Sequence, residues 1–191
     1  MSLVLMSAPA TEPVTVAEAK AHLRVDATNE DTLIASLILT SRLHLETALG
    51  LALITQSWRL FLDRWPPTKD IELPIRPLQS IDAVRVWPAD GAAAAIDADD
   101  YLADIASAPP RLVRTGVIWP QPGKAANGIE IDLTAGYGPA ASDVPGPLRQ
   151  ALLLLVAHWY ENREPIAVGA PETAVPRAVS ELLEPYRVKR L

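Results

Sequence analysis

The sequence predicts an α+β protein, in which both chain ends form a small helical bundle and a mainly antiparallel β domain is inserted between them. Three observations lead there. Apolar residues recur at three- and four-residue steps near both ends, at Ile34, Ile38, Leu45 and Leu49 and again at Leu148, Leu152, Leu155 and Val156. Between these stretches the pattern changes to short alternating runs such as Ile71-Glu72-Leu73 and Val84-Arg85-Val86-Trp87. Prolines punctuate the runs, at Pro66-Pro67, Pro74, Pro77, Pro88, Pro109-Pro110, Pro120 and Pro122. The expected division assigns residues 1–50 and 142–191 to the bundle and 51–141 to the β domain.

The first expected helix opens at Thr15-Val16-Ala17-Glu18, a capping-box pattern in which the Thr15 hydroxyl takes the Glu18 amide and the Glu18 carboxylate reaches back. Val16, Ala19 and Leu23 share one face, and the helix should end near Arg24 or Val25. A second helix follows, capped by Thr28 or Asn29, with Glu30 and Asp31 in the first turn where the helix dipole favours negative charge. Gly50 suits the left-handed position just past its end. Strand candidates then cover residues 57–63, 71–73, 84–87, 111–117 and 128–134, within a region of five to seven expected strands. Pro145 and Pro147 suit a first helical turn, where a missing N–H costs nothing, and that helix should reach about Asn162. Residues 165–173 read as a loop, and Pro176 opens a last helix that Pro185 stops.

Composition narrows the function classes. The chain has 191 residues, 49% hydrophobic and 21% charged, which is globular and excludes wholesale disorder. It has no cysteine, so disulfide frameworks, thiolate metal sites and cysteine nucleophiles drop out. The longest purely apolar run, from Ala151 to Ala157, is far short of the ~20 residues a membrane helix needs. Residues 1–7 are apolar but lack the basic start of a signal peptide, so a cytosolic or virion protein fits. A net charge of −6 argues against a basic nucleic-acid patch.

No local signature of catalysis emerges. His22, His44 and His158 have no i, i+4 partner among themselves, and His158-x-x-Glu161 runs opposite to the Glu-x-x-His order of carboxylate-bridged metal bundles. Asp97, Asp99, Asp100 and Asp104 form an acidic stretch that reads either as a solvated loop or as carboxylates available to a small hydrolase. Gly136-Tyr137-Gly138 follows a strand without a phosphate-loop pattern and reads as a turn. Trp58, Trp65, Trp87, Trp119 and Trp159 serve either as core fillers and strand-end plugs or as anchors at an interface. The residues thus lean toward an assembly role, with a monomeric binding module as a further alternative and no cofactor or metal implied.

A family resemblance then becomes specific. The stretch from Val16 to Asp26 (VAEAKAHLRVD), the acidic cap and the helix ending Glu46-Thr47-Ala48-Leu49-Gly50 resemble the opening of phage head–tail connector proteins. Ala135-Gly136-Tyr137-Gly138, Val144-Pro145, the helix carrying His158-Trp159-Tyr160-Glu161-Asn162-Arg163 and the closing LLEPYRVKRL from Leu182 to Leu191 are similar to that family in the same order. The resemblance implies a structural virion protein of a phage, prophage or gene transfer agent, assembled in the host cytoplasm and sited at the head–tail junction. It implies a homo-oligomeric ring, commonly a dodecamer, beneath the portal protein. DNA would pass through its channel without sequence-specific binding, and a stopper or terminator protein would meet its tail side.

The expected portal-binding residues are Tyr186, Arg187, Val188, Lys189, Arg190 and Leu191, a segment with three cations and no anion. Extended, it would be two-sided, with Tyr186, Val188 and Arg190 pointing one way and Arg187, Lys189 and Leu191 the other.

Overall fold

The computed structural model describes residues 1–116, 118–162 and 176–187. It divides into two compact units, Met1–Ala10 with Thr55–Tyr137 and Thr11–Ile54 with Gly138–Leu191. The α+β reading is borne out, but the expected boundaries shift at three places: residues 51–54 and 138–141 fall in the helical unit, and residues 1–10 leave it. Residues 1–10 belong with the strands, because Ser2–Ser7 pairs with a strand more than fifty residues later in the chain.

The β unit contains β1 (Ser2–Ser7), β2 (Gln56–Leu62), β3 (Asp70–Glu72), β4 (Leu78–Val86), β5 (Ala94–Ala95), β6 (Tyr101–Asp104), β7 (Arg111–Arg114) and β8 (Ile129–Ala135). Five of these form an antiparallel sheet in the order β1-β2-β8-β4-β5, and three form a second in the order β3-β7-β6. The register across the larger sheet explains its two faces. Leu3, Leu60, Ile131 and Val84 lie in one row, and the last three are at most 1% exposed. The next row, on the opposite face, is Val4, Arg59, Asp132 and Ala83. Alternation thus gives one apolar face and one charged face.

β4 and β6 differ from expectation for identifiable reasons. β4 begins at Leu78 rather than near Val84, because bulges between Leu78 and Ser80 and between Ile81 and Ala83 erase the period-two signal in its first part. β6 lies within the acidic stretch, where Asp97 caps a 3-10 turn over Ala98–Asp100 that feeds directly into the strand.

The helical unit contains α1 (Val16–Leu23), α2 (Asp31–Leu49), α3 (Gly146–Glu161) and α4 (Arg177–Leu183), followed by a 3-10 turn, Glu184–Tyr186. α2 packs on α3, α1 packs on both, and α4 packs on α3. The Thr15–Glu18 capping box forms, and α1 ends with Arg24 in the left-handed conformation at φ 58°. Gly50 ends α2 at φ 63°, a conformation that costs glycine little. The N-cap of α2 is Glu30, whose side chain accepts the Tyr160 hydroxyl rather than capping the helix, and not Thr28 or Asn29; Thr28 contributes its carbonyl, which accepts the Asp31 N–H at 3.2 Å. Ile34, Ile38 and Leu45 from α2 and Leu148, Leu152, Leu155 and Val156 from α3 are at most 1% exposed and form the core. Burying each such side chain is worth about 1.5–3 kcal/mol, which makes this the main stabilising term of the unit.

Arg42 sits inside this unit with its side chain only 5% exposed. Its Nε donates to Glu12 at 2.7 Å and its Nη1 to Glu46 at 2.7 Å. Glu46 also accepts the Leu53 N–H at 2.8 Å, so the cluster ties α2 to the segment leaving it.

Candidate assembly surfaces

The acidic stretch does not form a carboxylate cluster. Asp97 accepts the Asp99 N–H at 3.1 Å and caps the local turn. Asp104 accepts the Ser107 hydroxyl at 2.6 Å and Arg111 Nη2 at 2.7 Å. These bonds from Ser107, then Arg111, hold the Asp104 carboxyl down to about 2, so it stays ionised and engaged. Burial, together with the nearby charges of Asp82 and Asp97, raises the Tyr101 hydroxyl above its ordinary value. Among the described residues no three His, Asp or Glu side chains converge as a metal site would require. His158 lies beside Asn162, whose amide donates back to the His158 carbonyl at 2.8 Å. His44 meets Trp159 edge-on at 5.6 Å between ring centres.

The tryptophans are engaged within the subunit. Trp65 donates to the Pro120 carbonyl at 2.9 Å and packs on Trp119 at 4.7 Å. Trp87 donates to Glu130 at 2.8 Å, and the Lys124 ammonium lies 3.6 Å above its ring centre. Trp58 and Trp159 are half-buried. Contacts within the subunit therefore account for Trp65, Trp87 and Trp119 and, against His44, for Trp159.

The charged face of the larger sheet carries a cross-strand ladder. Asp132 on β8 accepts from Arg59 on β2 at 2.6 Å and from Arg85 on β4 at 2.7 Å, with Glu130 within 3.8 Å of both. Burial pushes the Asp132 carboxyl up, but the two guanidinium groups outweigh it and the net shift is downward. Sequence reasoning missed this ladder because Arg59, Arg85 and Asp132 are far apart along the chain and only strand pairing unites them.

Exposed apolar residues mark other surfaces. In the β unit, Val4 is 43%, Leu5 40% and Met6 52% exposed, all on β1. In the helical unit, Leu39 and Leu43, one turn apart on α2, are also exposed.

The expected portal-binding segment is partly described. Tyr186 closes the 3-10 turn and is half-buried; Arg187 follows in an extended conformation, exposed, with Nε 3.4 Å from Glu184. The chain therefore takes one further turn through Pro185 before extending. Val188, Lys189, Arg190 and Leu191 lie outside the described residues, as does the expected 165–173 loop. No helix among the described residues is long and apolar enough to cross a membrane.

Residues 13–105 match the family model of the phage gp6-like head–tail connector protein. Among solved structures, a chain from the neck of an empty gene transfer agent particle, computed with C6 symmetry, is 31% identical; the match covers 100% of this chain and 97% of that one at a TM-score of 0.84. A chain from the virion of a native gene transfer agent particle matches over the same shares with 31% identity and a TM-score of 0.85. A third, from the neck of a native particle computed with C12 symmetry, has 31% identity, the same coverage and a TM-score of 0.80. No curated protein matches this chain.

Proposed function

The chain belongs to the phage gp6-like head–tail connector family, and on that premise we propose that it forms a ring beneath the portal, extends the DNA channel and joins head to tail. The observation that carries this reading is the full-length match, at 31% identity, to chains that sit in the neck of gene transfer agent particles. Cyclic symmetry in those necks supports a ring of identical subunits with a heterologous contact between neighbours. A net charge of −6 supports passage of DNA over adherence, since negative walls repel phosphates. A structural role also suits the acidic stretch, whose best-placed carboxylates are committed to a turn and to an ion pair.

The closing segment, Tyr186, Arg187, Val188, Lys189, Arg190 and Leu191, is proposed to dock on the portal, with its cations meeting acidic groups there. The tail-side contact is proposed to be with a stopper or terminator protein. Cryo-microscopy of particles carrying this chain tests the reading: density for it in a ring at the portal–tail junction is expected, and its absence there would overturn it. Deleting residues 188–191 should leave a folded subunit that no longer joins the portal; wild-type incorporation of the truncated chain would remove the docking role of the tail.

A further inference from the structure

Native sheets protect their open edges with charges, prolines, bulges or very short strands, because an unpaired row of N–H and C=O groups is a template for another chain. The strand edges of the β unit follow that rule, and β1 is the least protected of them. β3 is three residues long and carries Asp70 and Glu72. β4 has two bulges and the exposed Asp82. β6 ends on Asp104, held by Arg111. β1 has six residues, pairs among the described residues with β2 alone, and contains neither charge nor proline; its bulge, between Leu5 and Ser7, leaves Ser2–Leu5 in unbroken register with β2. Both its faces are open, since Val4 lies on the charged side of the sheet and Leu5 on the apolar side, and each is at least 40% exposed. A neutral, apolar strand of this length left bare is an aggregation hazard.

We propose that β1 is the subunit–subunit contact of the ring: it adds, edge to edge, to β5 at the opposite margin of the same sheet in a second copy. This rests on the reading that copies of the chain surround a common axis. A heterologous contact must join two different surfaces, and a single sheet offers two, its first and last strands. β5 suits the role. It lies in the run from Gly91 to Ile96, which carries no charge, and Ala94 and Ala95 are both exposed. Alanine leaves room beside the backbone for the larger Val4, Leu5 and Met6. Direction is also compatible. Successive strands from β1 to β5 are antiparallel and five in number, so β1 and β5 point the same way. The small rotation between ring neighbours nearly preserves direction, so the two strands meet as a parallel pair. Backbone bonds then supply affinity, and the large-against-small side chains set the register.

The absence of cysteine gives the test a clean background. Three double variants pair Ala94→Cys with Val4→Cys, Leu5→Cys or Met6→Cys, and are incorporated into particles and oxidised. A bridge forms only where Cα atoms come within about 7 Å. At least one pair should give a ladder of disulfide-linked multimers on a non-reducing gel, while each single variant gives no ladder. Necks that contain the chain but yield no ladder from any pair would overturn the inference and leave the functional reading intact. Particles whose necks lack the wild-type chain would overturn that reading, and this one with it. Separately, Val4→Lys should retain the wild-type circular dichroism, since Val4 is exposed, but reduce incorporation at least tenfold; incorporation at the wild-type level would also overturn the proposal.

Discussion

The two units contain the same electrostatic device with the charges exchanged. In the helical unit one cation, Arg42, is clamped by two anions, Glu12 and Glu46, at 2.7 Å each. In the β unit one anion, Asp132, is clamped by two cations, Arg59 and Arg85, at 2.6 and 2.7 Å. The distances are nearly identical, but the surroundings differ. The side chain of Arg42 is 5% exposed, whereas Asp132 is 19% exposed and its partners 25% and 34%. Burial therefore decides the energetics more than geometry does. Removing one member of a buried cluster strands a charge that water cannot reach, whereas on an open sheet face water replaces most of what is lost.

The largest effect tests the packing in which the Arg42 cluster is embedded. Ile38 is 1% exposed in the middle of α2, so Ile38→Asp puts an unpaired carboxylate in the core, at a cost of several kcal/mol and comparable to a whole domain's stability. Helical circular dichroism should collapse, while the near-ultraviolet signal of Trp65, Trp87 and Trp119 in the β unit persists. Loss of both signals together would show that the two units do not fold separately, as we propose they do.

Next, Arg42→Ala should destabilise the helical unit by about 3 kcal/mol in urea unfolding, chiefly because Glu46, 8% exposed, loses its cation, while water reaches Glu12, 33% exposed. Asp132→Asn should cost only about 1 kcal/mol, with Glu130 remaining close to both arginines. Equal losses from the two substitutions would break the contrast between the units. Thr15→Ala, which removes the α1 cap, should also cost about 1 kcal/mol, and Glu18→Ala should add little to it because the two side chains act as one box.

How much of this was legible in the sequence follows from the range over which each interaction acts. The Thr15–Glu18 box, the left-handed Gly50, and the apolar stripes of α2 and α3 are set within a few residues, and their spacing shows it. β1 was not assigned because its side chains do not alternate in polarity; it is apolar on both sides and its partner begins at Gln56. The first part of β4 was hidden by its bulges. Both ion clusters were invisible for a related reason: Glu12 and Arg42, or Arg59 and Asp132, meet only once the fold exists. The four nearby aspartates read either as a solvated loop or as a carboxylate site, and the fold commits two of them locally, Asp97 to a turn and Asp104 to Ser107 and Arg111.

The smallest effect concerns an exposed ion pair that still has a pH signature. Asp104 closes the connection between β6 and β7, accepting the Ser107 hydroxyl and backbone N–H on one side and Arg111 on the other. Its folded carboxyl titrates at about 2, below the roughly 3.9 of an unfolded aspartate. The sign follows from linkage. A carboxyl depressed on folding stabilises the protein above its unfolded pKa, and that contribution is lost as pH falls through the folded value. The difference in unfolding midpoint between wild type and Asp104→Asn should therefore be constant from neutral pH down to about pH 5, then shrink between about pH 4 and pH 2. Asp132→Asn should behave in the same direction, since its carboxyl is also held down by its arginines. Arg111→Lys retains a charge but not the two-pronged contact through Nε and Nη2, at 3.1 and 2.7 Å, so it should reproduce only part of the wild-type pH dependence. Urea midpoints measured across this range check all three, and a difference for Asp104→Asn that grows on acidification would show that Asp104 is not ionised in the folded protein.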